Sequence, residues 1–170
     1  MREIMKKRVK IWYFLILFLL FVFILKINIK QNVILNITPS IRLGIYLLDD
    51  YDHKKNLQKG TVVLFQAPKL ATKNRVYYNP LLKKIVATSE DKIEIKNSKL
   101  FINGKCKGNI KEMDSYGNKI DMLPEGMYTI SPEEYFVLGE HEDSYDSRYY
   151  GALTKEEILQ AGNLFIPFSF

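Results

Sequence analysis

The chain has 170 residues and 19.9 kDa, 47% of them hydrophobic, which suits one ordinary domain with a core of its own rather than several domains. A single cysteine and two histidines (Cys106, His53, His141) exclude a disulfide framework and a Cys/His-rich zinc site. The formal charge of +6 is concentrated: MREIMKKRVK sets five basic residues against Glu3, giving +4, so only +2 remains elsewhere, too little for the basic face that nucleic acid demands.

The basic start leads into IWYFLILFLLFVFIL, residues 11 to 25, free of charge, Gly and Pro. Fifteen residues of helix span about 22 Å against an apolar bilayer core of about 30 Å. Lys10 and Lys26 can snorkel, and Trp12 and Tyr13 suit an interface, so the run still reads as a span. A cleaved signal peptide would end in a small-x-small site, and INIKQNVILN after Lys26 offers none. The sequence therefore predicts a cytoplasmic segment over 1–10, an uncleaved transmembrane anchor over 11–29 and an extracytoplasmic domain over 30–170. Cys106, in FINGKCKG, then has no partner for a disulfide and reads as a small strand-end residue.

Beyond residue 30 the chain breaks into short runs rich in β-branched and aromatic residues. TVVLFQ (61–66), KKIVAT (83–88), KIEIK (92–96), KLFI (99–102), MYTI (127–130) and EYFVLG (134–139) predict an all-β or mainly β domain. Asn97–Ser98 should turn one hairpin and Asn103–Gly104 another. KLATKNRVYYNP (69–80) reads as a loop or irregular hairpin. Only SPEEYF and TKEEILQAG suggest helix, the second with Thr154 as cap and Glu157 three residues on.

Serines at 40, 144 and 147 lie in loops, where a serine is ordinarily a turn residue. A Ser-His-Asp triad can be drawn with His53 or His141, but DDYDHKK reads as a solvated loop and His141 stands among Glu140, Glu142 and Asp143. Lysine can also activate a serine, provided that burial strips its proton. LLKKIVAT offers Lys83 and Lys84 on opposite faces of one strand, and alternation does not choose between them. Both also read as ordinary edge lysines that block aggregation.

Four segments in order resemble the type I signal peptidases, membrane-anchored serine-lysine peptidases: ITPSI, KGTVVLFQAP (59–68), LLKKIVATSEDKIEI (81–95) and LGEHEDSYDSRYYG (138–151). SYDSRYYG is the most specific, with Ser144, Asp146, Ser147, Arg148 and Gly151 in register. NITPSIRLGIY is most similar to the TraF-type branch, the conjugative-transfer peptidases, whose pattern is close to N-x-T-x-S-x-P-x-G-x-Y. The resemblance implies a signal-peptidase-type β catalytic domain behind one N-terminal transmembrane helix. It makes Ser40 the nucleophile and Lys83 the general base, and gives Lys84 no chemical role. Thr38 becomes an oxyanion donor beside the Ser40 N–H, Ser144 orients the lysine, and Asp146 with Arg148 forms a structural ion pair. The implied substrates are exported or pilin-like precursors cut at the membrane surface, with lipid as neighbour and no metal, cofactor or nucleic acid.

Three departures bear on loop geometry and substrate preference. Arg42 stands where the pattern has Pro, SED (89–91) replaces P-G-D, and GEHED loses the Asn of the last motif. Two other readings remain: a general signal peptidase for many secreted proteins, and a non-catalytic anchored β-domain in an export complex.

Overall fold

A computed structural model describes residues 10–22, 31–66, 80–114 and 117–168. The chain divides into two units, Met1–Asn32 and Val33–Phe170. In the first, residues 10–22 form a helix, α1, whose large apolar side chains are exposed on every side, Trp12 at 65% and Phe14 at 69%. Among the described residues no helix is long and apolar enough to cross a membrane. α1 covers about 20 Å, and the rest of the apolar run, from residue 23, lies outside the described residues.

The second unit is mainly β, as its short β-branched runs lead one to expect. Its strands are β1 (Asn32–Asn36), β2 (Gly44–Asp50), β3 (Val62–Phe65), β4 (Leu81–Ala87), β5 (Ile93–Lys96) and β6 (Lys99–Ile102). β7 (Lys105–Asn109), β8 (Gly126–Tyr128), β9 (Glu134–Leu138), β10 (Leu153–Thr154) and β11 (Ile158–Pro167) follow, with one short helix, α2 (Ser147–Tyr150). Seven strands form one sheet in the order β1-β2-β11-β3-β4-β9-β10, and four form a second in the order β7-β6-β5-β8. Two apolar clusters fill the first sheet: Val63, Phe65, Ile85 and Val137 in one, and Ile41, Tyr46, Leu48 and Val62 in the other. A third, with Ile93, Ile95, Leu100 and Ile102, joins the second sheet to Phe136 and Leu138 of β9.

The second sheet follows its sequence signals closely. Asn97 and Ser98, at φ 50° and 53°, close the β5–β6 hairpin, and Asn103 and Gly104, at 50° and 75°, close β6–β7. Successive positive φ values give the turn a twist that matches the strands it joins. Asp91 ties the two sheets together. Its carboxylate accepts from the Thr88 N–H (2.9 Å), Lys59 Nζ (2.9 Å) and Asn103 Nδ2 (2.7 Å).

Two helical expectations give way to strands. After SPEEYF's first residues the Ser131 N–H donates to Glu134 Oε2 and the Glu134 N–H to the Ser131 carbonyl, both at 3.0 Å, a reciprocal turn that launches β9. In TKEEILQAG the expected cap is present, with the Thr154 N–H donating to Glu157 Oε2 at 2.8 Å, but it closes a single 3₁₀ turn, Lys155–Glu157. β11 then fills the slot between β2 and β3. Its ladder bonds on both sides outweigh local helix preference. Gly162 shows how close the fit is: a Cβ there would lie 2.0 Å from the Leu47 carbonyl oxygen. The expected loop at 69–80 falls, up to residue 79, outside the described residues.

Candidate active site

Ser40 sits in the turn between β1 and β2, half-buried, beside Ile41, which is 1% exposed and anchors the turn in the core. The Ser40 carbonyl accepts from the N–H groups of Glu140 (2.7 Å) and His141 (3.4 Å), so the segment after β9 lies directly on the serine turn. Ser40 Oγ is 3.4 Å from Thr38 Oγ1.

The structure separates the two lysines that the sequence alone leaves equal. Lys83 shares the inward face of β4 with Ile85 and Ala87 and is 3% exposed. Burial pulls its pKa from 10.5 down to about 8; the Asp146 carboxylate works to raise it and Arg148 to lower it. Lys83 Nζ donates to the Leu82 carbonyl at 3.3 Å. Lys84 faces the other way, and its ammonium pairs with the Glu140 carboxylate at the surface. Among the described residues no hydrogen bond joins Lys83 to Ser40 or to Ser144.

Ser144 is buried, and its Oγ has no hydrogen-bond partner. It occupies the space left by Gly139, where a Cβ would lie 1.9 Å from Ser144 Oγ and 2.6 Å from the Ser40 carbonyl oxygen. Gly139 thus brings both serines to the end of β9, the strand that pairs with Lys83's own β4. A buried hydroxyl left unpaired is costly.

Below this runs the Asp146–Arg148 pair. Asp146 is fully buried and accepts from Arg148 Nε at 2.8 Å and Nη2 at 2.9 Å, and from the Gly139 N–H at 2.9 Å. The guanidinium also donates to the carbonyls of Ser144 (3.0 Å), Asn109 (3.0 Å), Glu142 (3.2 Å) and His141 (3.4 Å). One planar fork therefore holds three carbonyls of the 141–146 loop. Ser147 is no nucleophile, for its Oγ accepts from the Val137 N–H at 2.9 Å inside the core.

Among the described residues neither histidine ring bonds to a serine. His53 Nδ1 lies 2.9 Å from the Lys155 carbonyl, and His141 Nδ1 accepts from the Asp143 N–H at 3.2 Å. The changed motif positions are accommodated. Glu90 turns without a positive φ, so no glycine is needed there. Glu140 pairs with Lys84 in the altered GEHED loop.

Sequence reasoning gave no role to Asn36. Asn36 is 6% exposed, and among the described residues its side chain hydrogen-bonds to Thr38, Ile41 and Arg42. The first letter of the N-x-T-x-S pattern was the available signal.

Residues 5–168 match the family described as signal peptidase, peptidase S26, and the chain belongs to that family. Signal peptidase IB of Staphylococcus aureus, in strains Mu50 and N315 alike, is 28% identical over 135 residues, 66% of this chain. The match takes in 63% of those relatives' length. A signal peptidase I of Enterococcus faecalis V583, known from a crystal structure, aligns with a TM-score of 0.39 at 21% identity, covering 65% of this chain and 98% of that one.

Proposed function

We propose that the protein is a membrane-anchored serine endopeptidase that cuts exported precursors with a Ser40–Lys83 dyad. The observation that carries this is Lys83: a buried lysine whose pKa falls to about 8 can be neutral where ordinary lysines are not. Neutral Lys83 takes the proton from Ser40 Oγ as the serine attacks the scissile carbonyl, forming the acyl-enzyme through a tetrahedral intermediate. Thr38 Oγ1 and the Ser40 N–H are the oxyanion donors. The Lys83 ammonium then protonates the leaving amine, and a water, deprotonated by the same lysine, releases the acyl group. Ser144 offers its unpaired hydroxyl to orient Lys83.

The apolar run from residue 11 and its basic flank support an N-terminal anchor with the catalytic unit outside the cytoplasmic membrane. NITPSIRLGIY supports placement in the conjugative-transfer branch, with a pilin-like precursor as substrate.

Precursor sizes in cells carrying the native protein, Ser40→Ala, Lys83→Ala or Lys84→Ala test this reading. The first two variants should accumulate uncut precursor, and Lys84→Ala should cut it. Cutting by a Ser40→Ala protein would end the proposal.

A further inference from the structure

We infer that Asn36 is a positioning residue for the reaction, holding the Ser40 turn and setting the direction of the Thr38 hydroxyl. The inference rests on the Ser40–Lys83 reading above for its catalytic meaning, but its geometry stands apart from it. Asn36 Nδ2 lies 3.0 Å from the Thr38 carbonyl, 3.1 Å from that of Ile41 and 3.2 Å from that of Arg42. Its Oδ1 accepts from the Thr38 N–H at 3.2 Å. The amide can stand only one way round, because three carbonyls need a donor and one N–H needs an acceptor. One side chain thus holds both sides of the loop that presents Ser40. The Tyr46 hydroxyl adds a second bond to the Arg42 carbonyl, at 2.6 Å. Arg42 stands where the family pattern has a rigid proline, and these two side chains fix its peptide instead.

The same oxygen decides where a proton points. Thr38 Oγ1 lies 2.7 Å from Asn36 Oδ1. An amide oxygen has no proton to give, so Thr38 is the donor. The Thr38 hydroxyl has then spent its only proton and can only accept from Ser40 Oγ, 3.4 Å away. The resting enzyme holds a chain running Ser40 O–H to Thr38 O–H to the Asn36 carbonyl. Thr38 donates to a substrate oxygen only by leaving Asn36. A neutral carbonyl oxygen competes poorly for that proton, whereas an oxyanion competes well, so the donation favours the transition state over bound substrate.

Two measurements on the full chain in detergent test this. The first is cleavage of a synthetic precursor peptide with alanine one and three residues before the cut. Asn36→Ala should lower kcat about 100-fold, because the turn that places Ser40 and Thr38 loses its bonds to the Thr38, Ile41 and Arg42 peptides, with KM changed less than about 3-fold. Thr38→Val added to it should cost less than about 3-fold more, because a Thr38 whose backbone is no longer held is out of place for donation. The second is hydrogen exchange, which needs no activity. In Asn36→Ala the Thr38 and Glu140 amides should exchange at least about 10-fold faster, while those of Val63 and Ile85 keep their protection. Asn36→Ser, which can still accept from the Thr38 N–H, should fall between native and alanine in both.

Native kcat in Asn36→Ala, or unchanged exchange at Thr38 and Glu140, would overturn the inference. So would loss of core protection in both variants, which would make Asn36 a folding residue. A native protein that leaves the peptide uncut would refute the peptidase reading, while the exchange data would still decide whether Asn36 holds the turn.

Discussion

Ser144 fills the place of the side chain that Gly139 lacks, its Oγ only 1.9 Å from where a Cβ would stand. Gly139 to Ala is therefore a change at the site itself. The methyl must displace both Ser144 and the Ser40 carbonyl, whose oxygen lies 2.6 Å from it. Overpacking of this kind costs about 1–3 kcal/mol. Gly139→Ala should melt lower and lose most peptide cleavage, and Gly139→Ala with Ser144→Ala should stay below native in both, because the Ser144 Cβ at 2.3 Å and the Ser40 carbonyl at 2.6 Å still meet the methyl. Thermal melts and kcat on both variants check the point.

Lys83 links activity and stability to pH in opposite ways for enzyme and variant. Its folded pKa of about 8 lies below the ordinary 10.5. With Lys83 as the proposed base, its neutral form is about 10% at pH 7 and about 1% at pH 6, so kcat/KM should rise about tenfold per pH unit up to about 8 and then level. Between about 8 and 10.5 the unfolded chain binds more protons at this site than the folded one, so this lysine makes native stability rise with pH across that window. Below 8 the full cost of burying the ammonium is felt, about 3 kcal/mol. Lys83→Met should be inactive yet melt higher than native at pH 7, with the gap closing toward pH 10.5. A lower melting temperature for Lys83→Met at pH 7 would contradict the buried-amine argument.

Arg148 neutralises a carboxylate that has no contact with solvent. Arg148→Met leaves Asp146 charged and buried, a loss of about 3–5 kcal/mol. Arg148→Lys keeps a charge but has no fork to reach the carbonyls of residues 109, 141, 142 and 144, so it should recover stability in part and leave the 141–146 loop loose. Urea denaturation gives the first effect, and protease cutting within the loop gives the second.

Thr38 separates enzyme from scaffold. Thr38→Val keeps the shape and removes the hydroxyl, so kcat should fall about 10²–10³-fold with KM little changed. Thr38→Ser should retain much of the rate. His53→Ala and His141→Ala should both cut the precursor peptide, since neither ring bonds to a serine. A folded, inactive histidine variant would revive the triad.

The parts legible in the sequence were those whose signal is local. Asn97–Ser98 and Asn103–Gly104 announce their hairpins because few other pairs tolerate successive positive φ. The choice of Lys83 over Lys84 was not legible from alternation, because either face of LLKKIVAT is apolar. Only the packing of β4 against β9 shows which is buried. β11 was misread because a cap and a run of Glu, Leu and Gln look helical until β2 and β3 are placed on either side. Asn36 was missed for a related reason. Its three partner residues lie within six positions, but a buried asparagine and a solvated one read alike in a sequence.

β11 lies between β2, which follows Ser40, and β3, which pairs with the strand of Lys83. The strand made last in chain order is thus the partition that spaces serine from lysine. A growing polypeptide has both residues long before it has the wall between their halves of the sheet. A chain ending before Ile158 leaves β2 and β3 each with a bare edge, and the two halves have no common register. Ser40 and Lys83 therefore take up their final spacing only once the ten residues of β11 have paired on both sides.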